Sequence, residues 1–213
     1  MAGGPVHSVV AQSCWRGHEQ SVRVLGAASG IALRVAMGLM LREVLKAGSA
    51  DHRFAAKGIR SRALLVVPAA CVAMPLLWRR GKWASYPFWM DDLFLSIVAL
   101  DLAGNVFDLY DRYERFDLIP HAHGTGALTV LVAWLPGLSM WSAVGIATAG
   151  HVLLEAQETA SDVLFGYRNV RGSWDTIGDL AAGAIGTAVY GGLYHRFVRR
   201  AGREPRSPRA NRR

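Results

Sequence analysis

The sequence predicts an all-α, polytopic transmembrane helical bundle of about six spans. Three observations carry this expectation. Hydrophobic residues make up 52% of the 213 positions and are segregated into stretches. Those stretches run too long and alternate too poorly for barrel strands, and in lipid only helices or closed barrels satisfy their own backbone. Polar and charged residues gather at the ends of the stretches, where a membrane protein places them. Mean hydropathy is +0.20.

The elements follow in order. Residues 1–21 are polar and lack the apolar core of a cleavable signal peptide, so the first span is expected to direct insertion. Span one centres on Val24 to Leu41. Within it Gly26, Gly30, Arg34 and Gly38 recur at i+4, a small-residue stripe that lets helices approach closely. Arg34 lies too centrally to snorkel with ease. It is expected to face the interior, with Asp101 as its partner. Span two covers Ala63 to Trp78 and contains Cys71. Cys14 lies in the polar segment, so no disulfide is expected between them, and no zinc-type cysteine spacing exists. Span three covers Leu93 to Val106, with Asp101, Asn105 and Asp108 at i, i+4 and i+7 on one face. His121 and His123 open span four, whose apolar part is Ala127 to Trp134. Span five, Met140 to Leu154, ends in His151, Glu155, Glu158 and Asp162 at i, i+4, i+7 and i+11. Asp175 and Asp179 start span six, Ile177 to Leu193, where Ala182 and Gly186 again form a small pair. Each run falls short of the roughly 20 apolar residues a span needs, so each is read as the core of a longer helix. The transmembrane domain is thus 22–198, and 199–213 is a disordered tail.

Charge sets the expected topology. The net charge is +8, and much of the surplus lies in the tail RRAGREPRSPRANRR. Such a tail suits a cytoplasmic end beside a membrane span, attracted to anionic headgroups, better than nucleic-acid binding. Six spans then put both termini inside an inner (plasma) membrane. The link bearing Arg79, Arg80 and Lys82 also falls inside, flanked by an aromatic belt of Trp78, Trp83, Tyr86, Phe88 and Trp89. The link bearing Lys46, Arg53, Lys57, Arg60 and Arg62 falls outside, against the rule.

Parity brings the polar groups together. Asp108, His121, His123, Glu155, Glu158, Asp175 and Asp179 are expected in the extracytoplasmic leaflet, with Asp101 and His151 deeper. Ionisable groups at membrane depth are costly and point at one another rather than at lipid. Imidazole with several carboxylates is a ligand set for zinc, iron or manganese, and inward Glu and His on facing helices build such sites. The metal candidates are His121, Glu155, Asp175 and Asp179. The same groups suit proton relay or cation transport, although no inverted repeat is evident. A third reading pairs them with Arg168 and Arg171, or has them cap helix ends, where acids suit the dipole. Thr176 is a candidate cap for the last helix. No serine nucleophile motif, phosphate-binding loop or dinucleotide fingerprint stands out.

Three stretches carry a family resemblance: YDRYERFDLIPHAHG at Tyr110 to Gly124, HVLLEAQE at His151 to Glu158, and RGSWDTIGDLAAGAIG at Arg171 to Gly186. Over roughly Ala63 to His195 the chain resembles the YjdF-like bacterial inner-membrane proteins. Its Gly172, Trp174, Asp175, Thr176 and Asp179 carry the most specific part. It is more distantly similar to the VanZ-like family, although Gln157 follows Glu155 one position early for that pattern. The resemblance implies a polytopic membrane protein with no established reaction, and it marks Asp117, His121, Glu155, Asp175 and Asp179. The sequence therefore predicts a membrane protein with a polar His and carboxylate site. Its rival roles are structural, metal-dependent catalysis on a lipid or cell-envelope substrate, and proton-coupled transport.

Overall fold

A computed structural model describes residues 6–48, 50–81 and 85–198. The basic tail, Lys82, Trp83 and the Cys14 side chain lie outside the described residues. The described chain is all helical: α1 (Val6–Lys46), α2 (Ile59–Arg80), α3 (Phe88–Val106), α4 (Leu109–Arg112), α5 (Leu118–Ala133), α6 (Met140–Phe165) and α7 (Ser173–Leu193). A π-helical turn at Tyr194–Val198 ends it. Two helices are long and apolar enough to cross a membrane: α1 over Gln20–Lys46, and α2. The chain divides into two compact units. One is built from α1, α2 and α3, and the other from α4 to α7 with residues 55–58.

In the first unit, α1 and α3 run parallel. Gly26 of α1 meets Phe88 at the start of α3, where an added Cβ would lie 2.6 Å from the Phe88 Cβ. At the other end Arg53, just past α1, donates to the carbonyl of Val106. Helix α2 returns between them, Arg60 donating to Val44 and Leu45 at the end of α1. Met37, Val44, Phe54, Ile59, Ala63, Val67, Leu95 and Leu102 form the buried core. Outward faces are apolar too: Val24, Leu25, Ile31, Val35 and Leu39 on α1, and Leu64, Leu65 and Val72 on α2, are exposed.

Arg34 does face the interior, but its partner is Asp91, not Asp101. Its two terminal nitrogens reach the two Asp91 oxygens at 2.8 and 2.9 Å. Asp91 is one turn into α3, level with Arg34 on the parallel helix, whereas Asp101 lies about 15 Å further along at 1.5 Å per residue. Asp101 instead lies 3.7 Å from Arg62. The third Arg34 bond has its origin in α2. Pro75 has no N–H and so leaves the carbonyl of residue 71 without its helical donor. Arg34 Nε donates to that Cys71 carbonyl at 3.0 Å. Tyr86, in the link before α3, is pushed up to about 12, first by burial and then by its hydrogen bond to Asp91.

In the second unit, α5 and α7 are parallel and nearly touch. An added Cβ on Gly126 would lie 2.6 Å from the Gly186 carbonyl oxygen. One on Gly186 would overlap the Ala122 carbonyl oxygen and lie 2.6 Å from its carbon. Only glycine allows backbones this close. Thr129 and Thr187 bond across the seam at 3.2 Å. Helix α6 is antiparallel to both, with Gly150 facing Leu128 and Met140 facing Gly191. Ser139 caps its start by accepting from Ser142 N, and Gly166 in the left-handed region ends it. Helix α6 runs three turns past the predicted end of span five.

Candidate functional site

The site is built where α5 and α7 begin and where α6 enters its second half. His151 and Glu155 are one turn apart on α6, so they share a face. His121 is in the first turns of α5. His121 Nδ1 lies 2.9 Å from His151 Nε2, and each of these nitrogens lies 3.4 Å from the same Glu155 oxygen, Oε1. The two rings stack with centroids 5.0 Å apart. His151 and Glu155 are buried at 6% and 4% exposure. Among the described residues, Glu155 Oε1 has no hydrogen-bond donor.

A second group adjoins the first. Asp117 immediately precedes α5 without a side-chain capping bond, Asp175 is in the first turn of α7, and Asp179 follows one turn later. One carboxylate oxygen from each lies within 4.8 Å of the others. His121 links the groups, its Nε2 lying 3.9 Å from Asp179 Oδ2. Asp179 is 5% exposed, and its Oδ1 has no donor among the described residues. Helix N-termini favour carboxylates, which accounts for part of the stability of Asp117 and Asp175. It does not account for two buried acids with orphan oxygens, because an unmatched buried charge is costly.

The geometry of the first group fits a metal. Ligands around an ion with bonds of about 2.0–2.1 Å in a tetrahedron stand about 3.3–3.4 Å apart. The three atoms His121 Nδ1, His151 Nε2 and Glu155 Oε1 form a triangle of 2.9, 3.4 and 3.4 Å. Two imidazoles and one carboxylate also match the chemistry of catalytic sites that keep a fourth position open.

The remaining predicted residues sort as follows. His123 points elsewhere, its Nδ1 2.6 Å from the Tyr190 hydroxyl. Asp108 does not share a helix face with Asp101 and Asn105. Helix α3 ends at Val106, and Asp108 turns left-handed at φ 61° to precede α4, pairing with Arg112. Asn105 bonds back to the Asp101 carbonyl in its own helix. Asp101 and Arg34 belong to the first unit and to its own ion pairs. Glu158 is half-buried beside the loop after α6, its carbonyl accepting from Ser161. Asp162 holds that loop, accepting from the backbone of Asn169 and Val170 and from the Asn169 amide. Arg171 lies 3.7 Å from Asp117, as the pairing reading expected, yet its guanidinium also donates to the carbonyls of Glu114 and Tyr110. Thr176 is not a cap. Gly172 holds that position and Thr176 sits inside α7, its hydroxyl bonded to Glu155.

No family model, curated protein or solved structure matches the chain. The site therefore has to be read from its own chemistry. Two of its members lie outside the ligand set the sequence predicts. His151, expected deeper than that set, joins it through its i, i+4 step to Glu155, which is a ligand spacing. Gly183 is the other. An added Cβ there would overlap the His151 ring and lie 2.9 Å from Thr125 Oγ1, so this glycine makes the space in which His151 sits. Its signal was its i+3 step to Gly186 on the same stripe.

Proposed function

We propose that this chain is a multi-pass integral membrane protein whose second unit is a divalent-metal enzyme acting on a lipid or cell-envelope substrate. The triangle of His121, His151 and Glu155 carries the reading. Two ring nitrogens, one on the half-buried His121 and one on the buried His151, and one orphan carboxylate oxygen are spaced as metal ligands. The two ring nitrogens share one hydrogen bond, and among the described residues Glu155 Oε1 has no hydrogen-bond partner. Zinc, iron and manganese suit the donor set. When bound, such a metal supplies an activated water at neutral pH for hydrolysis. The chain's own part is to hold the two rings stacked with their nitrogens converging, to orient Glu155 through Thr176, and to keep bulk water from the pair.

The membrane part rests on an inverted exposure pattern. On α6, Val152, Leu153, Val163 and Leu164 face outward while His151 and Glu155 are buried. On α7, Ile177, Ile185 and Val189 face outward while Asp179 and Thr187 are buried. Water would select the reverse. With α1 and α2 as apolar spans, we read α3, α5, α6 and α7 as the other four, which puts both termini inside. Helix α5, at 16 residues, spans only about 24 Å against about 30 Å of hydrocarbon. It therefore brings its polar N-terminus and His121 within the bilayer rather than past it. The resemblance to YjdF-like proteins agrees with this placement, and the basic tail would then meet anionic headgroups at the cytoplasmic face.

The test is to purify the full chain in detergent without chelator and to measure bound metals by mass spectrometry. About one transition-metal ion per chain is expected, lost in Glu155→Gln and in His151→Ala. Wild-type protein that folds and holds no metal, even after incubation with zinc, iron or manganese, would sink the proposal.

A further inference from the structure

Asp117, Asp175 and Asp179 stand apart from the histidine triangle in chemistry. They offer oxygen alone, whereas the triangle offers nitrogen and oxygen. Oxygen-only sets suit hard cations such as Mg²⁺, Mn²⁺ and Ca²⁺ rather than zinc. The charge of the group is poorly balanced by the protein. Arg171 reaches one oxygen of Asp117 at 3.7 Å, and its side chain is 42% exposed and shared with two backbone carbonyls. Asp175 accepts from the backbone N–H of Arg171, a neutral donor. Asp179 is the decisive member. It is more than nine-tenths buried, converges with the other two carboxylates within 4.8 Å, and has an oxygen with no donor among the described residues.

We propose that Asp117, Asp175 and Asp179 hold a second, hard divalent cation beside the metal triangle, giving the second unit a two-cation centre bridged by His121. This rests on the metal reading of the triangle and extends it. His121 presents Nδ1 to one group and Nε2 to the other, so its ring is the shared wall between them. The division of labour follows from the donors. The softer ion is held on α5 and α6, and the harder ion on the paired N-termini of α5 and α7. A hard cation held by a few carboxylates completes its shell with water and with the phosphate oxygens of a substrate. A phosphate-bearing lipid headgroup is thus the ligand class this centre would take.

The experiment uses the full chain in detergent micelles, first saturated with Zn²⁺ and then titrated with Mn²⁺ by calorimetry and electron paramagnetic resonance. One Mn²⁺ per chain is expected in addition to one Zn²⁺. Asp175→Asn should weaken Mn²⁺ at least tenfold and leave Zn²⁺ in place. Glu155→Gln should do the reverse. Asp175 is only half-buried, so its variant is the one chosen. If it fails to give folded protein by circular dichroism, the wild-type stoichiometry decides alone. Mn²⁺ that binds only by displacing Zn²⁺, or is lost equally in both variants, means one shared site and overturns the second cation while leaving the triangle intact. Binding of neither ion overturns both readings.

Discussion

Replacing Gly186 by alanine tests the seam that positions the site. The added methyl would overlap the Ala122 carbonyl, lying 2.6 Å from its carbon and 2.9 Å from its Cα. Ordinary contact begins at 3.4 Å, so α5 and α7 must part by the difference, about 0.8 Å, and more to clear the oxygen. Backbone cannot rotate away as a flexible side chain can. Overpacking of this kind costs about 1–3 kcal/mol, and a backbone collision belongs at the upper end. Alanine returns about 1 kcal/mol of helix propensity. The net loss is about 2 kcal/mol, roughly a thirtyfold change in the folding constant. Gly192→Ala is the internal control, because nothing lies within 4 Å of its Cβ position. Reversible unfolding in mixed micelles, followed by circular dichroism, compares the two. If Gly186→Ala is as stable as Gly192→Ala, the close approach of the backbones is wrong.

Three further outcomes follow from the same geometry. Gly183→Ala keeps every ligand yet pushes on the His151 ring, so metal content should fall at least severalfold while helicity is kept; full metal content would show that His151 is not held there. Arg34→Met should cost about 3 kcal/mol by leaving Asp91 buried and unpaired, and Arg34→Met with Asp91→Leu should recover most of it. A double-mutant cycle in the unfolding assay checks the pair, and a coupling near zero would refute it. Asp162→Ala should cost about 1 kcal/mol by freeing three donors of the loop after α6, with metal content unchanged. Metal loss in that variant would return Asp162 to the site from which the structure removes it.

Helical character and the identity of the polar cluster were legible because they depend on local pattern. The i, i+4 step of His151 and Glu155, and that of Asp175 and Asp179, put each pair on one face without tertiary knowledge. The pairing of Arg34 was not legible. Asp91 and Asp101 both lie on the third helix, and only the parallel register of α1 and α3 chooses between them. The face shared by Asp101, Asn105 and Asp108 failed for a different reason. It assumed that α3 continues, whereas the chain turns left-handed at Asp108. The acidic stripe on α6 was real in spacing but mixed in role, Glu155 turning inward to the site and Asp162 reaching forward to its own loop. Gly183 escaped because its importance is a space, and a space has no residue type of its own.

One missing hydrogen in α2 has a consequence for how the first unit is put together. Proline at 75 removes a donor and exposes the carbonyl of Cys71, and Arg34 fills that vacancy while gripping Asp91. Two helices whose outer faces are interchangeable leucine and valine could otherwise slide past one another by a turn at little cost. Here a slide of one turn, about 5.4 Å, breaks the guanidinium from both partners at once. The pair thus acts as a keyed joint, with a single seat. It also orders assembly, since the charge in α1 emerges well before Asp91 is made. The first helix stays incomplete until the third arrives to seat it.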